Sequence, residues 1–114
     1  MANTFKVVTK AGVTSADVIY TVAGSTTTVI LGLVLGNTTS SQTTVTVTLE
    51  SNTGSRAGAN NENNQDVELI TNAPIPAGSS LELLAGNKVV METTDVLKVT
   101  GSGATDVVLS IMEI

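Results

Sequence analysis

The side chains able to carry chemistry are few, and their types narrow what they can do. The 114 residues contain no histidine and no cysteine, which removes the usual general base, thiolate nucleophiles, thiolate metal sites and disulfides together. Base chemistry is left to carboxylates, lysines and Tyr20. Glu82, Glu92, Asp95 and Glu113 are the acids from which a two-carboxylate glycosidase would draw its pair. They carry no local signature, and the aromatics that a sugar subsite favours are limited to Phe5 and Tyr20. Acids of this kind are expected to be solvated charges at strand ends. No residue is assigned a catalytic role, and the chain is read as a non-enzyme.

Binding motifs are equally thin. Asn60–Asp66 is rich in the hard oxygen donors that Ca²⁺ accepts, yet it lacks the alternating acids and fixed glycine of an EF-hand loop. Neither a metal nor a cofactor is expected. Asn37-Thr38-Thr39 has the form of a glycosylation acceptor, but it reads as a turn. Gly101-Ser102-Gly103 also reads as a turn between strands, with no helix behind it to hold a phosphate.

These residues are set on elements of strand period. Thr43 to Glu50 alternates cleanly, with Val45, Val47 and Leu49 on one face and Thr44, Thr46 and Thr48 on the other. Thr27 to Leu35 is apolar on both faces, as in a strand held between sheets or one whose outer face meets a partner. Gly32 and Gly36 there mark a bulge or a close backbone approach. Shorter candidates are Phe5–Val8, Asp17–Val22, Val67–Thr71, Ser80–Leu84, Lys88–Glu92, Val96–Thr100 and Val107–Ile114. Turn signals separate them at roughly 8–12 residue intervals, the spacing of a β-sandwich or small barrel. The expected fold is one all-β domain over residues 1–114, an antiparallel β-sandwich of about eight short strands. Spacing leaves open whether it is jelly-roll-like. Ser51 to Gln65 has no apolar side chain larger than alanine, and a long mobile Asn-rich loop is expected there.

Charge bounds the partners. Ten acidic against five basic residues give a net charge of -5, without a Lys/Arg cluster, so binding to nucleic acid is not expected. The longest apolar run, Val29 to Leu35, is far short of the roughly 20 residues needed to cross a bilayer, and Met1–Lys6 has no signal-peptide pattern. No membrane association is expected. Charged residues make up 13% of the chain, against about 25% in an average domain. Short uncharged hydroxyl side chains take their place, a composition suited to surfaces covered by copies or neighbours.

The second half carries a family resemblance. Asn72 to Leu81, with its Pro74-Ile75-Pro76-Ala77-Gly78-Ser79-Ser80-Leu81 run, then Lys88–Glu92, Asp95–Thr100 and a closing strand ending Glu113-Ile114, resembles small virion structural proteins of tailed bacteriophages. Val18–Val22 and Val29–Asn37 match the N-terminal half of that pattern. The resemblance implies a virion location and a capsid decoration (cement) or head-tail accessory protein. It implies a homo-oligomer, with a trimer as the expected form, bound to major capsid or neck proteins. A tail or fibre component, or a receptor- or carbohydrate-binding module, is the alternative. Within the motif, Pro74 and Pro76 make Ala73–Ala77 an extended edge or connection, and Asp95 is placed to close a turn before Val96.

Overall fold

A computed structural model of the chain describes residues 3–53, 65–84 and 87–114. Among them, nine strands run in the order β1 (Thr4–Val13), β2 (Ala16–Thr21), β3 (Thr28–Asn37), β4 (Thr43–Ser51), β5 (Gln65–Ile75), β6 (Ser80–Leu83), β7 (Val89–Met91), β8 (Val96–Gly101) and β9 (Thr105–Glu113). They form two antiparallel sheets. One has the order β1-β9-β3-β6, with β7 also paired to β3, and the other has the order β2-β8-β4-β5. Each strand of the first half therefore pairs with its counterpart in the second: β1 with β9, β2 with β8, β3 with β6 and β7, and β4 with β5. An antiparallel ribbon rolled over in this way is a jelly roll. The sandwich expected from strand spacing is present, and its topology is the jelly-roll form.

Strand lengths depart from the sequence expectation for a physical reason. β1 extends past Val8 to Val13 because a register shift between Lys10 and Val13 absorbs the polar stretch. Gly12 takes φ +68° there, and its N–H donates to Asp106 Oδ1 at 3.0 Å. β5 runs on through Asn72 and Pro74, which an edge strand tolerates because its outer ladder is unpaired. In β3 a register shift between Ile30 and Gly32 re-phases the alternation, so that Thr28 and Ile30 point inward before it and Leu33, Leu35 and Asn37 after it. A bulge thus accounts for Gly32, whereas a Cβ on Gly36 would meet only Asp106 O at 3.9 Å.

The core lies between the sheets. Ile30, Leu33, Leu35 and Leu109 of the larger sheet face Val47 and Leu97 of the smaller one, all essentially without solvent exposure. Burying each such side chain contributes about 1.5–3 kcal/mol. In β4, Val45, Val47 and Leu49 pack inward and Thr44 and Thr46 lie outside, as expected, whereas Thr48, expected outside with them, is buried in its place between Lys98 of β8 and Glu68 of β5. The expected Ser51–Gln65 loop begins and ends in strands, Ser51 in β4 and Gln65 in β5, and its residues 54–64 lie outside the described residues.

Candidate functional site

The acids singled out from the sequence are dispersed into separate structural roles. Asp95 has no solvent exposure. Its Oδ1 accepts the backbone N–H groups of Asn52 and Thr53 at 2.9 and 3.0 Å, and its Oδ2 accepts that of Glu92 at 3.0 Å. Asp95 therefore closes the turn before β8, as its position suggested, and also ties down the chain leaving β4. Glu82 lies on β6 opposite Val34.

Glu113 belongs to a polar clamp across the sandwich. Its Oε1 meets Lys6 Nζ at 2.7 Å, and its Oε2 accepts the Tyr20 hydroxyl at 2.6 Å. Thr28 Oγ1 lies 2.7 Å from the same phenol oxygen. Four residues from β9, β1, β2 and β3 thus join the two sheets. Burial, followed by the bond to Glu113, pushes the Tyr20 phenol up to about 12. The bonds from Lys6 and then Tyr20 hold the Glu113 carboxyl below its ordinary value. The phenol keeps its proton and Glu113 keeps its charge, which suits a fixed clamp and not a proton-transfer pair. Sequence reasoning named Tyr20 and Glu113 separately; nothing in their spacing, 93 residues apart, joins them.

The other motifs are structural. Asn37 is buried, with its Nδ2 donating to Ser41 O and Ile75 O at 2.8 and 2.9 Å and its Oδ1 accepting from Thr39. The nitrogen a glycan would need is thus enclosed in the turn. Gly101-Ser102-Gly103 links the two sheets, and a Cβ on Gly101 would lie 2.7 Å from Val13 O. Asn60–Asn64 of the oxygen-donor run lie outside the described residues, and Asp66 pairs with Glu50 in the β4–β5 ladder. Among the described residues no group of three acids, histidines or cysteines is placed to hold a metal. A notch of about 240 Å³ between β3 and β6, lined by Gly32, Leu33, Val34, Glu82 and Leu83, brings in one ionisable group.

What stands out is the contrast between the two outer faces. The four-stranded sheet turns out Thr44, Thr46, Glu50, Thr100 and an exposed apolar side chain, Val18 beside Lys98, with Lys98 Nζ 2.6 Å from Glu50 Oε2. That contact holds the Glu50 carboxyl below its ordinary value and the Lys98 ammonium above its own. The five-stranded sheet turns out an apolar surface. Its register places Phe5, Met112, Val29 and Val90 in one row across β1, β9, β3 and β7. The next row is Val7, Ser110 and Gly32, and the third is Thr9, Val108, Val34 and Glu82. Phe5 and Val7 are 71% and 62% exposed. Tyr20 points into the sandwich opposite Leu97, so Phe5 and Tyr20 share no platform on which a sugar could stack.

No protein-family model matches the chain, and no curated protein matches it. A structural search found similarity to a chain from a structure described as "Bacillus endospore appendages form a novel family of disulfide-linked pili", with TM-score 0.48, 14% identity, and coverage of 98% of this chain and 85% of that one.

Proposed function

We propose that this chain is a non-enzymatic structural subunit of a tailed-bacteriophage virion, a capsid decoration protein that stabilises the particle through contacts with its neighbours and with copies of itself. The observation that carries the reading is the apolar outer face of the five-stranded sheet. A row of Phe5, Met112, Val29 and Val90 turned to solvent is costly to leave in water and marks a surface made to be covered. The low charge content and the threonine-rich opposite face fit the same role, as does the second-half resemblance. The jelly roll alone decides nothing, since the fold hosts unrelated functions.

The test is co-sedimentation of the purified chain with phage heads and, separately, with neck-tail assemblies, each prepared without it. Saturable binding to heads, with a higher temperature of head disruption, is the expected result. Failure to bind either particle overturns the proposal, and binding to neck-tail assemblies alone replaces decoration with a neck or tail role.

A further inference from the structure

We propose that the outer face of the five-stranded sheet is a self-association surface, occupied by the same face of a second copy related by a two-fold axis. This deepens the structural-subunit reading and rests on it. Three observations select a second copy as the occupant.

Area is the first. Four strands at about 4.8 Å spacing and four outward rows about 6.6 Å apart give a face of roughly 19 by 26 Å, or about 500 Å² in projection. Pairing two such faces removes about 1,000 Å² or more, the size a specific interface must reach. Relief is the second. The second row of the face is low, because Ser110 stands opposite Gly32, and a Cβ on Gly32 would touch nothing within 4 Å. Two sheets can therefore approach to the face-to-face distance of about 10 Å.

Charge is the third. The chain carries -5 overall, and the outer face of the four-stranded sheet, where Asp66 and Glu68 flank the Glu50–Lys98 pair, keeps an acidic excess that self-association there would bring together. The five-stranded face has no ionisable group in its first two rows. Its acids, Glu82 and Asp106, lie in the third and fourth. A two-fold axis crossing the strands between the Val7–Ser110–Gly32 row and the Val108–Val34 row pairs all four rows of one copy with those of the other and sends the acidic ends of the two copies in opposite directions. Each acidic end then lies over the partner's Phe5–Val90 end, and the contact closes as an isologous pair.

Sedimentation equilibrium of the full chain between about 1 and 100 μM tests this directly. The expected result is a monomer–dimer equilibrium. Ser110→Lys drives a lysine from each copy into the partner's Val108 row beside the axis, burying two ammonium groups against apolar surface, and should raise Kd by about 100-fold or more. Val108→Lys should weaken the pair as well, and Thr100→Lys on the opposite sheet should leave Kd unchanged. Circular dichroism melts confirm that each variant folds. A wild-type monomer at 100 μM, or a dimer equally weakened by Thr100→Lys and indifferent to Ser110→Lys, overturns the inference. A wild-type monomer that binds phage heads, and loses that binding in Ser110→Lys, would overturn the two-fold pair while leaving the virion reading standing. A dimer that binds no particle would do the reverse.

Discussion

Tyr20 offers a direct test of the clamp between the sheets, because it is the one tyrosine of the sequence and there is no tryptophan. Phenolate absorbance near 295 nm therefore reports a single group. The folded phenol is raised from 10.0 to about 12, a difference worth about 2.7 kcal/mol between protonation states. Tyr20 is only partly buried, and solvent screening reduces its contribution to stability to about 1 kcal/mol. The sign follows from linkage: above pH 10 the unfolded chain loses this proton while the folded chain keeps it. The contribution is thus complete below pH 10 and is lost as pH rises toward 12. In Glu113→Gln the phenol keeps a hydrogen-bond acceptor but loses its anionic neighbour. Its midpoint should fall by about one unit and stay above 10, because burial, the largest cause, remains. Spectrophotometric titration with circular dichroism recorded on the same samples reads both ionisation and fold. A wild-type midpoint near 10 with the β-sheet signal intact would refute the reasoning, as would a midpoint that Glu113→Gln leaves unmoved.

Three stability predictions accompany it, each read by urea denaturation. Asp95→Ala leaves the N–H groups of Asn52, Thr53 and Glu92 without their buried acceptor and should cost about 3–5 kcal/mol; Asp95→Asn, which keeps one acceptor oxygen, should cost less. Gly101→Ala drives a Cβ to within 3.0 Å of Val13 O and Gly103 O, both backbone atoms that cannot swing aside, and should cost about 1–3 kcal/mol. Thr43 Oγ1 is buried without a hydrogen-bond partner, so Thr43→Val, which keeps the shape and removes the hydroxyl, should stabilise the protein by about 1 kcal/mol. Loss of stability in Thr43→Val would show that the hydroxyl is satisfied in solution.

Local physics made part of this molecule legible in its sequence. Side chains alternate across a strand whatever it pairs with, so the inward Val45, Val47 and Leu49 and the outward Thr44 and Thr46 could be read directly. Asp95 at the end of a turn and the glycines between β8 and β9 were equally legible, because turn chemistry acts over a few residues. The strand ends were less so. Bulges at Gly12 and Gly32 let β1 and β3 continue where a periodic pattern breaks, and a bulge is fixed by the partner strand as much as by its own residues.

What the sequence determined alone was therefore the list of strands, the absence of histidine and cysteine chemistry, and the low charge. Tertiary structure decided which strands became neighbours, since the β1–β9 pairing joins the two ends of the chain and no local rule records it. It also decided which apolar side chains were left outside. In β3 both faces are apolar, and only the bulge and the position of the second sheet sent Ile30, Leu33 and Leu35 into the core while leaving Val29 and Val34 on the face. The Lys6–Glu113–Tyr20 clamp and the outward row from Phe5 to Val90 have the same origin. Both gather residues from distant strands, and only the register between those strands sets their geometry.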